Sequence, residues 1–175
     1  MMSYKNLSFD KITDLANKGY YGAEWELANR HENGFNGTLQ CTDSAVFWYR
    51  DIARKFHCAK ASRKIMEMIK RGEIQENKDI KSFSDNVCRH AKKGNPEFQL
   101  LSGDMYAEGV SVDKNPTEAW AWYAVASANG CEEAAGKRDQ IDQNQEQEQN
   151  KKNSSSFDKK AALDRAKKIM EKPML

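Results

Sequence analysis

NPEFQLLSGDMYAEGVSVDKNPTEAWAWYAVASANG, residues 95–130, carries the punctuation of two short helices joined by a turn. Asn95 before Pro96, and Asn115 before Pro116, each set an N-cap side chain ahead of a proline at the first helical position, where the missing N–H has no intrahelical partner to lose. Gly109 and Gly130 fall where the helices must stop, because glycine readily takes the left-handed conformation that closes a helix C-terminus. Gly103 and Ala126 are small where the two helices must touch, and Trp122 and Tyr123 stand beside them.

The same spacing recurs along the chain, and a fixed period is the signature of a repeat architecture. Trp122, Tyr123, Ala126, Ser127 and Gly130 align with Trp48, Tyr49, Ile52, Ala53 and Phe56. They align again with Asn86, Val87, His90, Ala91 and Gly94, and near the start with Lys11, Ile12, Leu15, Ala16 and Gly19. The four second helices thus lie 37, 38 and 36 residues apart. The first helices align independently: Ala23, Leu27, Ala28, His31 and Gly34 match Phe98, Ser102, Gly103, Tyr106 and Gly109, and Ala61, Ile65, Met66 and Ile69 follow the same spacing.

Gly103, Tyr106, Gly109, Val112, Ala119, Trp122, Tyr123, Ala126 and Gly130 together resemble the Sel-1-like repeat, a longer relative of the tetratricopeptide repeat. Phe98 and Ser102 depart from the usual small residue and leucine, and the middle copy lacks both tryptophan and tyrosine. The resemblance implies an all-α fold, a right-handed α-α superhelix (solenoid) of about three helical hairpins with capping helices at both ends. Each hairpin has an apolar face too large to hide alone, so neighbours stack and bury it jointly.

The divisions expected from this register are a capping helix over 1–18, repeats over 19–56, 57–93 and 94–130, and the start of a further first helix over 131–141. A polar tract, 142–155, is either a helix extension or a linker. Residues 156–172 turn amphipathic again, with Phe157, Leu163, Ala166, Ile169 and Met170 available for one face, and read as a cap on the last repeat or a detached tail.

Composition narrows the function classes. Of 175 residues, 39 % are apolar and 31 % charged, and the formal net charge of +2 is too small to argue for nucleic acid or an anionic membrane. The N-terminus lacks the apolar core of a secretory signal and no run approaches a membrane span, so the expected compartment is the cytoplasm. Cys41, Cys58, Cys88 and Cys131 have irregular spacings that match neither a disulfide framework nor a zinc pattern, and His57 and His90 beside two of them fall on different helices. Asp104 and Glu108 sit one turn apart, which is commonplace for surface acids, so neither catalysis nor a cofactor is expected. The basic run Lys60, Arg63, Lys64, Lys70 and Arg71 lacks interleaved aromatics in sequence and reads as a solvated face rather than a nucleic-acid site.

A helical array does offer a concave face, lined by exposed positions of its first helices. The core register assigns these to Trp25, Asn29, Glu32 and Asn33, then Lys60, Arg63, Glu67 and Lys70, then Glu97, Leu100, Asp104 and Glu108. The face runs from aromatic and amide-rich through basic to acidic and suits a protein partner of mixed charge. Trp25 is either its anchor or a cover for the N-terminal cap helix. Reversing Lys60, Arg63 and Lys70 to glutamate is expected to weaken partner binding without unfolding the chain. What the family resemblance implies is a monomeric, non-enzymatic scaffold, adaptor or regulatory module. Its small bacterial members include immunity proteins that neutralise a secreted toxin, the narrowest expectation drawn here. The rival class is the β-lactam-binding relatives, which are exported and carry disulfide-linked repeats.

Overall fold

Both Asn-Pro pairs cap their helices as their order predicts. In a computed structural model, which describes residues 4–74, 78–150 and 157–171, the Asn95 side-chain oxygen accepts from the N–H groups of Glu97 and Phe98 at 3.0 and 3.3 Å. Asn115 accepts from Glu118 N–H at 3.1 Å. Among the described residues there are nine α-helices and no strand: α1 Phe9–Asn17, α2 Tyr21–Asn33, α3 Thr42–Phe56, α4 Ala59–Lys70, α5 Lys78–Lys92, α6 Pro96–Glu108, α7 Pro116–Ala128, α8 Glu132–Asn150 and α9 Lys159–Glu171. They fall into two compact units, residues 1–75 with α1 to α4 and residues 76–175 with α5 to α9.

In the first unit, Ile12 and Ala16 of α1 meet Ala23 and Leu27 of α2 in a fully buried cluster, with Tyr4, Leu7, Leu15 and Trp48 packed around it. The cap helix is therefore covered by Trp48. Arg30 is fully buried beneath it; its Nε donates to Glu26 at 3.0 Å and its Nη2 to the carbonyls of Tyr4 and Lys5 at 3.2 and 3.0 Å. One guanidinium thereby pins the start of the described chain to α2. The α2 helix closes on Gly34, whose φ of 69° is the left-handed value expected of glycine there.

In the second unit, α7 has the sequence PTEAWAWYAVASA, with apolar residues on every side rather than along one stripe. A helix of that kind must be surrounded, and α6, α8 and α9 all pack against it. One side of α7, with Ala119, Tyr123 and Ala126, closes against Leu100 of α6 and Ala134 of α8. Another side, with Trp120, Ala121 and Val125, closes against Ala162 and Ala166 of α9. At the α6–α7 crossing a Cβ on Gly103 would fall on the Tyr123 ring, so only glycine permits that approach, and a leucine there overpacks it by about 1–3 kcal/mol.

The polar tract after Ile141 continues α8 as far as Asn150; residues 151–155 lie outside the described residues. The C-terminal helix is docked on α7 rather than detached, but not by the whole face its apolar residues suggest. Leu163 and Met170 are 44 % and 55 % exposed, whereas Ala162 and Ala166 are buried against Trp120, Ala121 and Val125, with Phe157 and Ile169 packed beside them.

Candidate functional site

In the first unit, side chains of α2 meet the start and middle of α4 at three places: the Tyr21 hydroxyl is 3.7 Å from Cys58 Sγ, Lys60 Nζ stands 5.0 Å from the centre of the Trp25 ring, and Lys64 Nζ donates to Glu32 Oε1 at 3.2 Å. Along α2, Trp25 and Asn29 are half-buried and Asn33 is exposed, with the Asn33 amide donating to the Asn29 carbonyl at 2.8 Å. Along α4, Lys60 and Lys70 are exposed and Arg63 and Glu67 half-buried, while Ala61, Ile65, Met66 and Met68 point inward.

Trp25 packs edge-on against Tyr49 at 5.5 Å between ring centres, stacks on Tyr21 at 6.2 Å, and carries Lys60 over its ring. One expectation for this face is corrected. Glu32 is buried rather than exposed, because three donors reach it from two other helices and the loop that follows: Tyr49 Oη at 2.7 Å, Lys64 Nζ at 3.2 Å and Arg71 Nη2 at 3.1 Å. Burial works to raise its pKa, but the hydrogen bonds from Tyr49, Arg71 and Lys64 outweigh burial and hold the carboxyl below its ordinary value. Burial and the same carboxylate push the Tyr49 hydroxyl well up.

In the second unit the expected exposure fails for two of the four positions. Leu100 is 3 % exposed and Asp104 4 %, whereas Glu97 and Glu108 are exposed as expected. The cause is α8, which lies over this part of α6: Ala134 packs with Leu100, and Lys137 Nζ donates to Asp104 Oδ1 at 2.6 Å. Tyr123 Oη donates to the same oxygen at 2.8 Å. Asp104 is thus a structural ligand of two neighbouring helices, and Leu100 belongs to the core.

No protein-family model matches the chain, and no curated protein matches it. Among solved structures, the Sel1 repeat protein from Oxalobacter formigenes is 30 % identical, with a TM-score of 0.50 over 75 % of this chain and 96 % of its own. The chain belongs to the Sel1 repeat family. A protective antigen present in uropathogenic Escherichia coli strains, displaying an SLR fold, is a more distant likeness at 17 % identity and a TM-score of 0.43, covering 93 % of this chain and 40 % of the antigen.

Both units of this Sel1 repeat protein use one device. An acid on a first helix, Glu32 or Asp104, accepts from a tyrosine of the following second helix, Tyr49 or Tyr123, and from a lysine of the next first helix, Lys64 or Lys137. Tyr49 and Tyr123 occupy equivalent repeat positions, but the acids do not: in the same register Asp104 aligns with Asn29, and Glu32 with Ala107. His31 meets the Leu39 carbonyl at 3.3 Å and His90 stacks on Phe98 at 4.8 Å between ring centres, both packing roles. Among the described residues no three His, Cys, Asp or Glu side chains converge as metal ligands, and no helix is long and apolar enough to cross a membrane.

Two residues of the α2–α4 face escape the register. Tyr21 and Phe56, 5.0 Å apart in an edge-to-face contact, are 43 % and 40 % exposed. Tyr21 lies one turn before Trp25 on the same stripe, a signal present in the sequence. Phe56 stands where the other repeats have glycine, and only the folded chain shows that its ring reaches Tyr21.

Proposed function

We propose that this Sel1 repeat protein is a non-enzymatic, monomeric protein-binding module of the cytoplasm, with the α2–α4 face of its first unit as the contact surface. The observation that carries the reading is the exposed pair Tyr21 and Phe56 beside Trp25 and a basic stripe. Large aromatic side chains left open next to charge are typical of binding hot spots. Trp25, Asn29, Asn33, Lys60, Arg63, Glu67 and Lys70 are its contact residues; Leu100 and Asp104 are withdrawn because the scaffold uses them. That use also supports a non-enzymatic role, since one Asp104 oxygen already accepts from both Tyr123 and Lys137.

In its narrowest form the module is an immunity protein that neutralises a cognate secreted toxin; a general adaptor would use the same face. The narrow form is tested by co-expressing the chain with secreted proteins encoded beside its gene. Wild type should restore growth, and Tyr21→Ser with Phe56→Ser should lose that protection while the helical circular dichroism signal stays unchanged. Continued killing in the presence of folded wild-type protein refutes the immunity role.

A further inference from the structure

Three Asn-Gly pairs occur in the chain, Asn33–Gly34, Asn36–Gly37 and Asn129–Gly130, and all six residues are exposed. An asparagine followed by glycine can lose its side-chain amide without an enzyme. The glycine nitrogen, with no Cβ beside it to obstruct the approach, attacks the asparagine Cγ and closes a five-membered ring. Sequence and exposure do not rank the three pairs. Hydrogen bonding does, because the attack needs a main-chain nitrogen that is not held and a backbone that can turn.

At two pairs both groups are tied. The Gly34 N–H donates to the Arg30 carbonyl at 2.8 Å, and the Asn33 amide donates to the Asn29 carbonyl and side-chain oxygen at 2.8 and 3.0 Å. The Gly130 N–H donates to the Ser127 carbonyl at 3.0 Å, and the Asn129 amide to Gln99 Oε1 at 2.8 Å. The end of α2 or of α7 must open before either nitrogen can attack.

Asn36 and Gly37 lie in the loop between α2 and α3. The Thr38 N–H bonds to the Phe35 carbonyl at 3.2 Å, which makes a four-residue turn with Asn36 and Gly37 at its centre, at φ 55° and 76°. Among the described residues nothing accepts from the Gly37 N–H, and a Cβ on Gly37 would meet nothing within 4 Å. One exposed bond holds the side chain, from Asn36 Nδ2 to the Lys5 carbonyl at 3.1 Å.

We propose that Asn36 is a site of spontaneous deamidation, the first of the three pairs to react. The Gly37 nitrogen bonds to Asn36 Cγ, the Cγ–Nδ2 bond breaks, and ammonia leaves with the proton from the Gly37 nitrogen. Solvent water then opens the succinimide at one of its two carbonyl carbons, giving aspartate or isoaspartate; nothing is oxidised or reduced. The product carboxylate accepts hydrogen bonds but has none to donate, so the Lys5 carbonyl keeps only Arg30 Nη2, at 3.0 Å. The loop after α2 thus loses its tie to Lys5 as the protein ages, whether or not a partner is bound.

The test ages the full-length folded chain in mildly alkaline buffer, with a parallel sample in denaturant. Trypsin releases residues 31–50 as one peptide that carries both Asn33 and Asn36, and electron-transfer fragmentation assigns the amide-to-acid mass change to one of them and separates isoaspartate from aspartate. In the folded chain Asn36 should convert at least tenfold faster than Asn33 and Asn129, with isoaspartate the main product, and in denaturant the three rates should converge. Asn36→Gln, which closes a six-membered ring more slowly, should remove that product and leave the other two rates unchanged. Equal or faster conversion of Asn33 or Asn129 in the folded chain overturns the proposal, as does an Asn36 that reacts in denaturant and stays an amide in the folded chain. The same tenfold ranking in denaturant also overturns it, because local sequence and not the fold would then set the order.

Discussion

At Glu32 a single carboxylate decides how two helices and a loop meet. Its pKa is lower in the folded chain than in the unfolded one, so the native state binds fewer protons through this range. The stabilisation is therefore complete above the unfolded value of about 4.3 and is lost as pH falls through the folded value. Glu32→Gln keeps the shape and removes the charge that Lys64 and Arg71 are drawn to. Urea unfolding at pH 7 should show the variant less stable by about 1.5–3 kcal/mol, the scale of a hydrogen bond to a charged group. The difference should shrink as pH falls below about 4.3, first as the unfolded carboxyl binds its proton, and level off once the native carboxyl binds one too. A pH-independent difference would mean that the tie is held by shape and not by charge. The register offers no means of foreseeing this role: position 32 is polar, lies near the exposed stripe, and is buried only because Tyr49, Lys64 and Arg71 arrive from elsewhere in the chain.

Among the elements, α9 shows where helical patterning stops being sufficient. Its apolar residues are legible as one side of a helix, yet which of them are buried depends on the angle at which it meets α7: Ala162 and Ala166 close on Trp120, Ala121 and Val125, while Leu163 and Met170 stay exposed. Two kinds of contact hold α9, and their sizes differ. Arg165 Nε donates to both oxygens of Glu118 at 2.7 and 3.0 Å, but both side chains are partly solvated, and such pairs contribute about 0.2–1 kcal/mol. A side chain longer than a methyl at Ala166 must be driven into a closed contact, at about 1–3 kcal/mol or more. Ala166→Arg should therefore release α9, seen as fast hydrogen exchange across Lys159–Glu171, whereas Arg165→Ala leaves its protection nearly intact. Comparable exchange in the two variants would show that the ion pair, not the alanine seam, does the docking.

For the whole molecule, the repeat was legible because it is written twice over, in second helices marked by Trp48, Tyr49, Trp122 and Tyr123 and in first helices marked by Ala28 and Gly103. The face was legible only in part. Lys60 and Lys70 lie outward as their spacing implies, but Leu100 and Asp104 are covered by Ala134 and Lys137 of α8, in the stretch 131–141 whose helix is legible in the sequence although its contact with α6 is not. Cysteine chemistry bears on the chain as a whole, because disulfide-linked repeats would set it with the rival exported class. Cys41, Cys58, Cys88 and Cys131 are all free and half-buried, so no cross-link contributes to stability. Protein purified without reductant should titrate four thiols in denaturant, and its Tm should be the same with and without reductant. In the native state the four should separate by rate. Hydrogen bonding from the Ser44 hydroxyl lowers the Cys41 pKa and favours the reactive thiolate, whereas burial raises that of Cys88 and keeps it protonated. Cys41→Ser should remove the fastest phase of a thiol-reagent time course. Fewer than four titratable thiols, together with a Tm that falls on reduction, would reverse the assignment and bring the disulfide-linked relatives back as the better comparison.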